Sequence, residues 1–302
     1  MDKKVLSQLE SIKTDNVNGA EALAKKSAEL FRWIAERGRP RSAEEFTGII
    51  RATAKALVNA QPAMAGIFNL ANAMLIASED VREIARMRSV IKATADRFLN
   101  SSEEHTEKIA AKAGRLIHSG QTIATHSFSS TVFQSLLAAK KSGATFNVIC
   151  TESRPMMEGV ALARSLANSR IPVALVTDAG VGATLERADI VLVGADSIGL
   201  EGLVNKAGTM ALAAAARRFK LPCYALCSTN KFVPPSCRVL HEKEGDPREI
   251  LRERAANVTP RNFYFDLTPL EYLSGVLTEH GLLRGETIKK RIRNLKVHPF
   301  LR

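Results

Sequence analysis

The chain has no cysteine before residue 150 and only four in all, Cys150, Cys223, Cys227 and Cys237. That is too few and too clustered for a disulfide framework, and it fits a reducing compartment. No apolar run reaches the roughly 18 residues that a membrane-spanning helix needs. The opening stretch, MDKKVLSQLE, turns amphipathic at once and lacks the apolar core and cleavage site of an export signal. The expectation is a cytoplasmic protein with no membrane contact. Aromatics are scarce, 5% of residues with one tryptophan. The nucleophile elbow G-x-S-x-G is missing, which argues against Ser/His/Asp acyl transfer. DAGVG at 178–182 lacks the third glycine of a dinucleotide loop, since position 185 is leucine.

Acid is also in deficit. The 302 residues carry 43 Lys and Arg against 31 Asp and Glu, a net charge of +12. Half of that excess sits in the last 21 residues, LLRGETIKKRIRNLKVHPFLR, with seven basic side chains and one acid. No interleaved aromatics accompany it. It reads as a solvated terminal helix, and nucleic acid is not an expected partner. Cys223-x3-Cys227-x9-Cys237-x3-His241 invites a zinc reading, but the first two cysteines lie in LPCYALCS, which reads as a strand. Four residues of strand span about 13 Å, too far for both sulfurs to reach one ion. Buried thiols are the better reading, and neither metal nor cofactor is expected.

Residues 1–118 read as helix throughout, a helical N-terminal domain. SAEEFTGIIRATAKALVNA opens on a capping box, Ser42 with Glu45, and spaces Phe46, Ile49, Ile50, Ala54 and Leu57 on one helical face. A second box, Ser101 with Glu104, predicts that a new helix starts there and ends at Gly120. From 119 to 302 the texture changes. Short apolar runs at 122–126, 146–151, 173–178, 189–196, 223–228 and 263–268 alternate, for the most part, with helical stretches. The pattern predicts an α/β fold, a parallel sheet covered on both faces. Ligands in such sheets bind beyond the carboxyl ends of the strands. There lie His126-Ser127-Phe128-Ser129-Ser130, Arg154, Asp178-Ala-Gly-Val-Gly, Asp196, Asn205-Lys206 and Lys231. The three cations Arg154, Lys206 and Lys231 suit an anionic substrate. Two readings of Asp196 stand, a helix N-cap or a buried acid/base. The glycines of DAGVG read either as a plain turn or as a helix opening towards a phosphate.

THSFSSTV, TESRPMMEG, VTDAGVG, VGADSIGLEGLVNKAGT, STNKF and FYFDLTPLEYLSGVLTEHGLL occur in this order over about residues 40–290. Together they resemble the family that unites the regulatory alpha, beta and delta subunits of translation initiation factor 2B with two enzymes. The enzymes are the ribose-1,5-bisphosphate and methylthioribose-1-phosphate isomerases. The resemblance implies a helical N-terminal domain, a Rossmann-like domain over 119–302, and a homodimer or higher homo-oligomer built through the latter. It also implies a small sugar-phosphate ligand. Asp196 is then the general acid/base, and Asn205 and Lys206 hold sugar hydroxyls. Arg154 and Lys231 contact phosphate or hydroxyls, and His126, Ser129 and Ser130 complete the cradle. Two departures bear on activity. The thiol that works with the aspartate in the isomerases is Ser127 here. The stretch matching their Arg-Gly-Ala phosphate motif is AQPAMAGIFNLAN, residues 60–72, without the arginine. A serine is a far weaker acid than a thiol, so an isomerase and a non-catalytic sugar-phosphate- or nucleotide-binding regulator both remain open. Cys150 or Cys227, near strand ends, is a candidate replacement thiol.

Overall fold

The computed structural model describes residues 2–15, 18–236, 244–253 and 255–302. Five helices come first: α1 (Lys3–Thr14), α2 (Ala20–Arg37), α3 (Ala43–Ala60), α4 (Ala65–Ser78) and α5 (Ile84–Gly114). Asp2 caps α1 by accepting from the Lys4 amide, and Ser42 caps α3 by accepting from the Glu45 amide. The Glu45 carboxylate reaches back to the amide of Arg41, one residue before the cap. The expected helix start at Ser101 is absent. α5 runs unbroken for 31 residues, because the Ser101 hydroxyl turns back to the Phe98 carbonyl instead of capping a new N-terminus. Helix α4 is buried at ten of its fourteen positions and has no polar face to give to water.

The α/β region runs β1 (Thr122–Thr125), α6 (Ser130–Lys141), β2 (Asn147–Thr151), α7 (Glu158–Asn168), β3 (Val173–Val176), the short α8 (Val181–Thr184), β4 (Ile190–Val193), β5 (Ser197–Ile198) and β6 (Leu203–Lys206). It continues with α9 (Thr209–Arg218), β7 (Cys223–Leu226), β8 (Phe265–Thr268), β9 (Gly275–Thr278), β10 (Gly281–Leu283) and α10 (Gly285–Arg293). The main sheet has the order β10-β9-β7-β4-β1-β2-β3, and only β10 is antiparallel. Counting its parallel strands alone in chain order, that is 3-2-1-4-5-6, the doubly wound arrangement. The order reverses between β1 and β4, so the crevice lies above those two carboxyl ends.

Two strand expectations need correction. The 263–268 run is not in the main sheet: β8 pairs antiparallel with β6 in a small β5-β6-β8 sheet, its first three residues only half-buried. The sixth parallel strand is β9, whose four residues GVLT are all buried. It is too short, and too close to turn residues, to stand out in the sequence. The 189–196 run leaves the sheet at Val193. The Asp196 amide then donates to the Val204 carbonyl at 2.9 Å, and β5 follows, so Asp196 caps no helix.

The helical region is fastened to the α/β region through α5, whose Ile109 and Ala113 enter the core beside β1 and α6, and through α4. Asn72, 8% exposed, donates to the Lys296 carbonyl and accepts from the His298 amide, both at 2.8 Å. This clips the segment after α10 onto the helix. Among the described residues no helix is long and apolar enough to cross a membrane. Asn72→Leu leaves the Lys296 carbonyl and the amide of buried His298 without their side-chain partner. It is expected to cost about 1–3 kcal/mol in urea-unfolding experiments and to speed hydrogen exchange at residues 296–298.

Candidate functional site

A cavity of about 700 Å³ opens above the switch point. Its floor comes from the ends of β1 (His126–Ser130), β4 (Gly194–Asp196) and β6 (Asn205, Lys206), with Lys231 from the turn after β7. Its roof comes from the helical region, Lys13–Asp15, Asn18–Ala22 and Gln61–Met64, and its far wall from Glu244–Asp246 with Tyr264 and Phe265. Eight of the nine residues singled out from the sequence meet here: Asp196, Ser127, His126, Ser129, Ser130, Asn205, Lys206 and Lys231. Arg154 does not. It is exposed, and its guanidinium reaches the Glu249 carbonyl at 3.3 Å outside the cavity lining. The DAGVG turn also lies outside that lining. Its Asp178 carboxylate instead accepts from the amides of Ser153 and Arg154.

Asp196 is half-buried on the floor. Loss of water pushes its carboxyl above the ordinary carboxylate range, while Lys231 and Lys206 pull it back and Glu158 adds to the rise. Such a carboxyl keeps a proton to higher pH and so can act as an acid as well as a base. Lys206, 6% exposed, donates to Glu158 at 2.6 Å and lies 5.1 Å over the Tyr264 ring. Lys231 donates its ammonium to the Ala195 carbonyl. Asn205 donates to the Thr209 hydroxyl at 2.9 Å.

His126 is buried and its ring nitrogens are both engaged. Nε2 lies 2.8 Å from the Ala207 carbonyl, which only accepts, so Nε2 carries the proton and Nδ1 accepts from the Thr151 hydroxyl. Burial lowers its pKa, so the ring is neutral near pH 7. It is therefore a structural edge of the cavity and not a free base for Ser127. Gly208, at φ +109°, leaves it room: a Cβ there would stand 2.8 Å from the ring Cε1.

Ser127 is held in the left-handed region, φ 63°, with its amide donating to the Ser153 hydroxyl at 2.8 Å. Ser153 and Met157 share that conformation at φ 63° and 60°. Non-glycine residues adopt it only where surroundings compel it, and such positions gather at functional sites. Ser129 caps α6 by accepting from the Val132 amide, which turns the positive end of that helix towards the cavity. Gly194 permits the close approach, since a Cβ there would meet Ser129 at 2.7 Å.

The replacement-thiol idea fails on geometry. Cys150 and Cys227 are fully buried, outside the cavity lining, and burial pushes both up to about 12. Cys223 is likewise buried and pushed up to about 12. No group of three potential metal ligands occurs among the described residues, whereas Cys237 and His241 of the zinc reading lie outside them. Glu158 and Tyr264 escaped the sequence reading, although both sit inside motifs already singled out. Glu158 opens α7, and nothing in its spacing shows that a lysine from β6 will meet it.

A model of the initiation factor 2 subunit family, IF-2B, matches residues 16–285. The chain belongs to this family. Within it, a translation initiation factor eIF-2B subunit 2-like protein of Pyrococcus furiosus is 37% identical over 287 residues, 94% of this chain and 97% of its own. The ribose 1,5-bisphosphate isomerase of Archaeoglobus fulgidus is 33% identical over 290 residues, 94% and 91% of the two chains. The crystal structure of Pyrococcus horikoshii OT3 eIF-2B matches with a TM-score of 0.82 at 36% identity, over 94% of this chain and 98% of that one.

Because the folded-state pKa of Asp196 lies above its unfolded value, its ionisation costs stability. The cost is absent below the unfolded carboxylate range and grows as pH rises through it. Asp196→Asn should therefore come closest to the wild-type thermal midpoint at about pH 3, below the unfolded carboxylate range, and exceed it at about pH 8. Iodoacetamide at about pH 8 should leave Cys150, Cys223 and Cys227 unmodified in the native protein and label all three in denaturant, read peptide by peptide by mass spectrometry.

Proposed function

We propose that the chain is a sugar-phosphate isomerase acting on an aldose 1-phosphate such as ribose-1,5-bisphosphate. The observation that carries this reading is the Asp196 carboxyl, held in a raised-pKa setting on the floor of the switch-point cavity with two lysines beside it. An anomeric phosphate locks the sugar as a ring, so opening needs a proton on the ring oxygen. Asp196 donates it as the bond from that oxygen to carbon 1 breaks. Hydrogen then moves with its electron pair from carbon 2 to carbon 1. The hydroxyl on carbon 2 gives its proton back to the Asp196 carboxylate and becomes the ketone. Every atom is accounted for, and one carboxyl both gives and takes the proton. Ser127 stands where it can hold the reacting hydroxyl. Lys206 and Asn205 suit the other hydroxyls, and Lys231 with the α6 start at Ser129 and Ser130 suits a phosphate. Kinship with a ribose 1,5-bisphosphate isomerase adds support.

A second reading, a non-catalytic regulator that binds a sugar phosphate or nucleotide, has its own observations. Ser127 replaces the family thiol, and neither His126 nitrogen is free to activate it. The kinship with initiation-factor-like proteins points the same way. An assembly of identical copies fits either reading.

Phosphorus and proton NMR time courses on ribose-1,5-bisphosphate, methylthioribose-1-phosphate and other sugar 1-phosphates separate the two. The isomerase predicts a ketose signal with the wild type and a rate about 10²–10⁴ lower for Asp196→Asn. Turnover unaffected by Asp196→Asn removes the mechanism. No turnover with any sugar, alongside a ligand-induced thermal shift, establishes the regulator.

A further inference from the structure

Lys231 has no strand or helix of its own. It sits in a 3-10 turn, Thr229–Lys231, between β7 and a loop, yet its ammonium is brought onto the Ala195 carbonyl, next to Asp196 in the chain. Something must hold that turn. On one side Glu279, buried at the β9–β10 turn, accepts from the Thr229 amide at 3.0 Å and from the Thr229 hydroxyl. On the other side the partner comes from the helical region. The Asn69 side-chain amide has two hydrogens, and both are used. One goes to the Asn230 carbonyl at 2.6 Å, the other to the Phe232 carbonyl at 2.7 Å. These two carbonyls bracket Lys231.

The same helix also touches the carboxylate residue. The amide of Ala65, the first residue of α4, donates to the Asp196 main-chain carbonyl at 3.1 Å. Ala65 and Asn69 are four residues apart, so they lie on one face of one rigid helix. α4 thus sets the distance between the Asp196 backbone and the Lys231 turn.

We propose that Asn69 is a positioning residue of the cavity, holding the 229–231 turn so that the Lys231 ammonium stays beside Asp196. It touches no cavity ligand itself, since it is outside the cavity lining. Its catalytic meaning rests on the reading of Asp196 as the working acid/base, whereas the positioning can be measured with no substrate present. The charged groups that face Asp196 are Lys231, Lys206 and Glu158. Of these, only Lys231 depends on the turn that Asn69 grips.

The test is the titration of the Asp196 carboxyl in the full chain, followed by carbon-13 NMR with labelled aspartate and assigned by loss of the signal in Asp196→Asn. Lys231→Met is expected to move the midpoint to higher pH, because a nearby cation favours the carboxylate. Asn69→Leu is expected to move it in the same direction by part of that amount. Asn69→Ser, which keeps one donor and disturbs packing less, is expected to fall between Asn69→Leu and wild type. Asn72→Leu lies on the same helix but serves the tail, and it is expected to leave the midpoint where it was. A merely structural weakening of α4 would not separate Asn69 from Asn72 in this way. A wild-type midpoint in folded Asn69→Leu overturns the proposal, as does one in Asn69→Ser if Asn69→Leu fails to fold. So does a wild-type midpoint in Lys231→Met, which would mean that the ammonium does not act on Asp196. Absence of isomerase turnover, by contrast, bears on the proposed reaction and leaves these midpoints unchanged.

Discussion

Helix α4 has to be buried on nearly every side, and the architecture follows from that constraint. Leu70, Ala71, Met74 and Leu75 are at most 2% exposed, so no orientation on a surface would satisfy the helix. Its apolar neighbours in the helical region include Leu23, Ile50 and Leu57, and its polar side chains reach the opposite way, into the α/β region. Its apolar residues thus join one core only, and it pins the other region through hydrogen bonds. Helix α5, by contrast, runs through both cores, with Met87, Ile91 and Ala95 in the first and Ile109 and Ala113 in that of the sheet. The cavity exists because of this: its floor is strand ends, but its roof is the segment that leads into α4. At about 0.8 kcal/mol per buried CH₂, the apolar contacts of such a helix outweigh the handful of hydrogen bonds that orient it. The hydrogen bonds choose the register, and the apolar faces supply the strength.

Polar groups of the site are arranged around backbone features that side chains alone do not explain. Three left-handed residues, Ser127, Ser153 and Met157, sit within two strand-to-helix connections. The Ser153 hydroxyl takes the Ser127 amide, and the Ser153 amide is in turn taken by Asp178. Asp178, unused as a phosphate loop, therefore serves as the anchor of a chain that ends at Ser127. His126 belongs to the same set, its neutral ring pinned between Thr151 and Ala207. What lines the ligand space is strongly polar: three lysines, Lys13, Lys206 and Lys231, six carboxyls, Asp15, Glu21, Glu158, Asp196, Glu244 and Asp246, and several hydroxyls.

Much of this was legible beforehand, for reasons that differ from element to element. The strands β1, β2, β4 and β7 announced themselves because buried parallel strands are continuous apolar runs. β3, at the sheet edge, did so through its apolar run VALV although Ala174 and Leu175 are exposed. The site residues at their ends followed from the rule that ligands sit at carboxyl edges, and Asp196, Lys206 and Lys231 were found that way. β9 escaped because four residues beside turn residues carry too little pattern. The break in the long helix was misplaced at Ser101, since a serine next to an acidic run looks the same whether it caps a helix or bonds back within one. Arg154 follows a strand like the others, but its side chain leaves the cavity, a choice that only three-dimensional packing makes. Glu158 and Tyr264 were hidden for the opposite reason: each meets Lys206 from a different stretch of chain, and pairings of that kind have no signature in one dimension.

The clip between Asn72 and the segment after α10 also has a consequence in time. The bond from the His298 amide to Asn72 spans 226 positions of sequence. Contacts of such separation form slowly, since the chain must first lose the freedom of everything between them. During synthesis the helical region can condense around its own apolar residues as soon as it emerges. α4, however, keeps a buried amide without its final partner until residues 296–298 have been made. The fastenings of α4 therefore mature in order: those of Ala65 and Asn69 need the chain only as far as residue 232, whereas that of Asn72 waits for the tail.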